Sequence, residues 1–137
     1  MKKILTGLLT GAVMLGLGML VGQVFQLIDP SLKTEYENPN LFRPWTDPLM
    51  LLYFVEPFIM GIIMAWLWDM TKSVIKGNTL LEKGIYFGLI YWVISIPGMI
   101  MSYSSFPLSV MLVFSWSFTG IVQTLCAGVL FSKMLKN

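Results

Sequence analysis

The chain has 137 residues, 56% of them hydrophobic and 12% charged, with a net charge of +2 and a mean hydropathy of +0.76, a balance that points to a membrane protein and away from a soluble domain. So small and unclustered a charge gives no footprint for a nucleic-acid partner. The complete lack of histidine excludes His-ligated haem, His-based zinc and Ser-His-Asp catalysis within the chain, and Cys126, as the lone cysteine, excludes internal disulfides and C-x-x-C redox pairs.

Four apolar runs follow one another, each near or above the roughly 20 residues a helix needs to cross a bilayer. The first predicted helix covers about 4–28. Lys2 and Lys3 precede it as they would a signal peptide. Its apolar stretch, however, far exceeds a signal h-region of roughly 7–15 residues and has no A-x-A-like site after it, so the helix is expected to be retained. At 100° per residue, Gly7, Gly11, Gly18 and Gly22 share an arc of about 60°. The Gly7-x-x-x-Gly11 and Gly18-x-x-x-Gly22 pairs let helices approach closely in lipid, which makes this face a candidate contact between subunits.

A connection over 29–47 carries Asp29, Glu35, Glu37 and Asp47. Asp29-Pro30-Ser31 reads as a helix start, so a short surface helix is predicted to about Tyr36, where Asn38-Pro39-Asn40 breaks it. Asp47-Pro48 starts the second long helix, predicted over 48–76 and stopped by Gly77-Asn78. Thr79 and Glu82 form a capping box for a third helix over 80–103, whose Gly84, Gly88, Tyr91, Ser95, Gly98 and Ser102 lie within about 80° of arc. The stretch Tyr103 to Pro107 leaves room for a tight hairpin, and the fourth helix is predicted over 107–133, with Ser109, Trp116, Gly120, Gln123 and Ala127 on one face. Faces of this kind ordinarily mean helix packing, and Gly84 and Gly88 are read that way.

The expected fold is therefore all-α: a polytopic membrane protein with a single domain over 1–137, built as a bundle of four transmembrane helices. Lys2, Lys3, Lys72, Lys76, Lys83, Lys133 and Lys136 fall on one side, against Lys33 and Arg43 on the other. The positive-inside rule then puts both termini in the cytoplasm and the 29–47 connection outside a cell membrane. Trp45, Trp66, Trp68 and Trp92 lie near predicted interfaces, as belt residues do. Trp116 lies deeper, on a small and polar face where its indole N–H needs an acceptor.

Glu56, in the run Tyr53-Phe54-Val55-Glu56-Pro57-Phe58, is the residue that most asks for an explanation. Eight residues beyond Pro48, at 1.5 Å each, it sits roughly 12 Å below the outer entrance, too deep for a short side chain to snorkel. It must be neutral there, or face a wet or hydrogen-bonded interior. Pro57 leaves the carbonyl of Tyr53 without its helical donor at the same level. Matching depths along the helices predicts an outward-facing polar pocket of Gln23, Glu56, Ser95 and Trp116, with Arg43, Trp45 and Asp47 at its mouth. The plainer reading is that Glu56 only ties helices together, through Ser95 or Arg43.

No catalytic set or phosphate-binding loop is legible, because every glycine cluster lies in an apolar run. Met60-x-x-x-Met64 and Met99-x-Met101 offer soft thioethers, but methionine is an ordinary flexible core filler, so neither a metal nor another cofactor is expected. The leading functional expectation is solute or ion binding and transport around Glu56. The alternatives are an assembly subunit docking through glycine seams and, below it, a membrane enzyme acting on a lipid-like substrate. A bundle of 15.5 kDa leaves little room for an enclosed pathway, so the expected partners, besides the bilayer, are further copies of the chain or another membrane protein.

The strings Leu41-Phe42-Arg43-Pro44-Trp45, Glu56-Pro57-Phe58 and Tyr103-Ser104-Ser105-Phe106-Pro107 resemble those of small four-helix prokaryotic integral membrane proteins of uncharacterised function. The resemblance would cover most of the chain and implies a four-helix fold. It carries no activity and no site residues.

Overall fold

The computed structural model describes residues 1–136 and is all-helical. Helix α1 spans Lys2–Ile28, α2 Ser31–Tyr36, α3 Leu51–Thr71, α4 Leu80–Ser105 and α5 Val110–Met134, with a 3₁₀ turn at Pro48–Met50 leading into α3. Four of these helices, α1, α3, α4 and α5, are long and apolar enough to cross a membrane. They run alternately up and down, so both termini lie at one end of the bundle. The 29–47 connection lies at the other end, called here the loop end.

The caps show how the sequence sets these limits. Asp47 accepts from the Leu49 N–H at 2.9 Å, which starts the turn into α3. The capping box at Thr79 is half formed: Thr79 Oγ1 accepts from the Glu82 N–H, but the Glu82 carboxylate reaches past Thr79 to the N–H of Asn78 at 2.7 Å. Helix α3 stops at Thr71, short of the expected 76. The N–H groups of Val74 and Ile75 both turn back to the Thr71 carbonyl, and Gly77, at φ +148°, lets the chain reverse. Helix α5 starts at Val110, later than Pro107, because the Ser109 hydroxyl accepts from the Leu112 N–H and becomes the N-cap.

Helix α1 packs against α3 on one side and α5 on the other, and α4 lies on the far side of α5. Backbone approach at glycines makes the closest of these contacts. A Cβ added to Gly7 would lie 2.6 Å from the Ile62 Cα, one on Gly11 2.6 Å from the Phe58 Cα, and one on Gly61 would run into the Gly7 carbonyl. The Gly7 and Gly11 part of the seam, expected to join subunits, is thus filled by α3 of the same chain. A second crossing joins α4 to α5, where a Cβ on Gly88 would meet the Thr124 carbonyl at 2.5 Å and Gly84 abuts Gly128.

At the end that carries the termini, polar ties join all four long helices. Asp69 of α3 pairs with Lys3 of α1 and Lys72. Lys72 and Trp68 both donate to the Leu135 carbonyl beyond α5, at 3.3 and 3.2 Å, and Lys83 of α4 donates to the Lys72 carbonyl at 3.1 Å. Trp68 is therefore not a belt residue. It is fully buried, edge-on to Phe87 at 5.6 Å, in a core that includes Met64, Ala65, Ala127 and Phe131. Trp92 is half-buried and donates to the Ser117 carbonyl at 2.9 Å, joining α4 to α5. Trp45 and Trp66 are exposed, as side chains of a membrane belt would be.

These contacts set a direct test. Gly61→Ala should destabilise the fold by about 1–3 kcal/mol, because the new methyl must push two backbones apart. Gly16→Ala, where nothing lies within 4 Å of the added Cβ, should be neutral or slightly stabilising. Reversible unfolding of the two variants in mixed micelles checks this; equal stabilities would show that the crossing is not close.

Candidate functional site

Toward the loop end the glycine contacts give out. A Cβ on Gly22 or Gly98 would meet nothing within 4 Å. Helices α1, α3 and α5 are left apart, and the space between them is partly roofed by α2 and the chain that follows it.

The roof is fixed to α5. Leu32 of α2 is buried against Leu108 and Leu112, with Phe25, Leu41, Phe42 and Val113 around them. The Glu35 carboxylate receives both the backbone N–H and the hydroxyl of Ser109, each at 2.7 Å, so an acid from the connection completes the N-terminus of α5. Trp116 donates its indole N–H to the Tyr36 hydroxyl at 2.6 Å and meets the Phe42 ring edge-on at 6.1 Å. This is the acceptor that its position in the sequence called for. Burial raises the pKa of Tyr36 above the usual phenol value, and the Trp116 N–H, which favours the phenolate, works against that rise.

Beneath the roof lies a cleft of about 580 Å³, bordered by Gln23 and Gln26 of α1, Tyr36 and Arg43 of the roof, Tyr53 of α3, and Trp116 and Gln123 of α5. A deeper recess of about 320 Å³ holds Glu56 with Leu15, Pro57 and Thr119. Gly18, Tyr53, Trp116, Thr119 and Gln123 line both, so the two form one space. Volumes of this size match ordinary small-molecule sites.

Of the residues expected here, Gln23, Arg43 and Trp116 border the cleft and Glu56 borders the recess. Asp47 stands just behind the mouth, holding Arg43 at 3.0 Å; the Leu49 N–H first, and Arg43 second, keep its pKa below the usual carboxylate value. Ser95 is not part of the site. Its hydroxyl donates to the Trp92 carbonyl of its own helix at 2.6 Å, and it lines neither the cleft nor the recess. Depth along a helix predicts level but not which helices are neighbours.

Glu56 makes no hydrogen bond or ion pair among the described residues, and its side chain is exposed in the isolated chain, so the recess is open on that side. The plainer reading, a tie to Ser95 or Arg43, is not what is seen: both of those residues are engaged elsewhere.

Tyr53, Thr119 and Gln123 were not expected in the pocket. Gln123 donates an amide N–H to the Met14 carbonyl at 2.7 Å, and a Cβ on Gly18 would lie 2.8 Å from its Nε2. Gly18 therefore accommodates a side chain rather than a second helix, while Gly22 leaves the cleft wall open. The signal was present in the polar face of α5 but lacked its partner on α1. Among the described residues no group of three or more His, Cys, Asp or Glu side chains is placed to hold a metal ion.

Comparisons with protein-family models, curated proteins and solved structures return no match. Any reading of function rests on this geometry.

The Tyr36–Trp116 contact can be tested by titration. Trp116→Phe removes the donor, so the Tyr36 pKa should move further above the usual phenol range, while fold stability falls by about 1 kcal/mol. Difference absorbance against Tyr36→Phe isolates this one tyrosine among five; an unchanged midpoint would show that the indole does not reach the phenol.

Proposed function

We propose that the chain is a small integral membrane protein of the cell membrane that binds a solute in an outward-facing cleft around Glu56, with transport as the activity such binding serves. The observation that carries this reading is an unpaired carboxylate lining a recess continuous with a cleft of small-molecule size. An acid at this depth in hydrocarbon would cost several kcal/mol unless it met water or a ligand, and none of the described residues pairs with it. The excess of lysines at the end carrying the termini supports a cytoplasmic location for that end and an outward-facing mouth.

The assembly reading loses its main contact, since α3 occupies Gly7 and Gly11. Transport by so thin a bundle would still use two or more copies, joined through faces other than that seam. The enzymatic reading has no constellation of groups to support it.

Native mass spectrometry of wild type and Glu56→Gln, released gently from membranes, tests this directly by reporting bound small molecules and subunit number together. A bound species present in wild type and lost in the variant is the expected result. Identical spectra without ligand would contradict a binding role for Glu56.

A further inference from the structure

The polar groups of the deep recess can be accounted for one by one. The Trp116 indole N–H is donated to Tyr36, the Thr119 hydroxyl to the Ser115 carbonyl at 2.7 Å, and an amide N–H of Gln123 to the Met14 carbonyl. What remains is two donors, the Tyr53 hydroxyl and the second amide N–H of Gln123, against a larger set of acceptors: both oxygens of Glu56, the amide oxygen of Gln123 and the lone pairs of Thr119. Glu56 is also the only charged side chain among the residues lining the recess. The charges of the wider cleft lie with the roof: Arg43, which Asp47 holds, and Lys33 and Glu37, which are of opposite sign.

The walls add two requirements. Tyr53 and Trp116 bring aromatic rings, which attract cations through their faces, and Leu15 and Pro57 are apolar. A bare metal ion is poorly served by one carboxylate in about 320 Å³, since hard cations take six or more oxygens at close range. Within the recess an anion would meet Glu56 with no cation among the lining residues to offset it.

From this balance of charge, acceptors and aromatic walls, we infer that the cleft takes an organic cation with an apolar body, its protonated amine directed at Glu56 and its body lying along Tyr53 and Trp116. The inference rests on the proposed binding role of the cleft and deepens it by naming the ligand class. The opening beside Glu56 suits such a molecule. Helices α3 and α4 meet through Met60 and Tyr91, whose hydroxyl lies 2.8 Å from the Met60 sulfur, and Glu56 stands one turn beyond Met60 toward the loop end. An amphiphile already dissolved in the membrane could reach the acid there with its apolar part still in lipid.

Three probes with one phenylalkyl body and different heads separate the possibilities: phenylbutylammonium, phenylbutanol and phenylbutyrate. Their affinities for wild type and Glu56→Gln, both in lipid nanodiscs, are compared after subtracting partition into protein-free discs. The ammonium should bind wild type about tenfold or more tighter than the alcohol, as expected for one charge-assisted contact, and the carboxylate should bind weakest. In Glu56→Gln the ammonium should lose that advantage while the alcohol is unaffected, which also shows that the variant is folded. Equal or tighter binding of the alcohol or the carboxylate overturns the cation assignment and leaves the cleft as a binding site. Binding of none of the three overturns the cation assignment, and the native mass spectra then decide separately whether Glu56 binds any other solute.

Discussion

The architecture depends on where the helix backbones can come close. Gly7, Gly11 and Gly61 at one crossing, and Gly84, Gly88 and Gly128 at another, all lie in the middle of the bundle or toward the end that carries the termini. Helix association in lipid relies on close van der Waals contact, because hydrocarbon gives helices no hydrophobic reason to associate. In the other half of the bundle glycines make no such contact: Gly22 and Gly98 face open space. Helices α1, α3 and α5 are therefore clamped at one end and free to part at the other.

The cleft follows from that asymmetry. Long side chains and the 29–47 connection occupy the widening space, and hydrogen bonds stand in for the packing that glycines supply below. Glu35 on Ser109 and Tyr36 with Trp116 hold the roof, and Gln123 bridges α5 to α1 in the notch left by Gly18. Each of these contacts uses up donors. The floor of the space keeps an excess of acceptors and the one carboxylate among its lining residues, so the same side chains that hold the helices at a distance also set the chemistry of the space between them.

Much of the fold was legible because its signals are local. Run length gave the four spans, and Asp47 and Thr79 mark helix starts through side-chain contacts within a few residues, whereas the fourth start was read at Pro107 and is set by Ser109. Less local features were misread for definite reasons. Ser95 has the right depth but sits on α4, which packs mainly on α5, and its hydroxyl turns back to its own helix. Trp68 looks like an interface residue by position, yet the chain beyond α5 folds over it and supplies the Leu135 carbonyl as its acceptor. The seam of α1 was recognisable as a close-packing face, but whether another subunit or α3 would fill it depended on Gly61, one small residue in an otherwise bulky helix. Gln123 needed Gly18 to explain it, and their sequence separation hides the pair.

The central claim is that α1, α3 and α5 part to form a water-accessible space on the side opposite the termini, with α4 outside it. In a Cys126→Ser background, Gln23→Cys, Thr119→Cys and Ser95→Cys can each be exposed, in sealed membranes, to a membrane-impermeant thiol reagent added from that side. The account predicts rapid modification of Gln23→Cys, slower modification of the more deeply placed Thr119→Cys, and none of Ser95→Cys. Protection at Thr119→Cys together with reaction at Ser95→Cys would contradict it, since the polar space would then lie against α4.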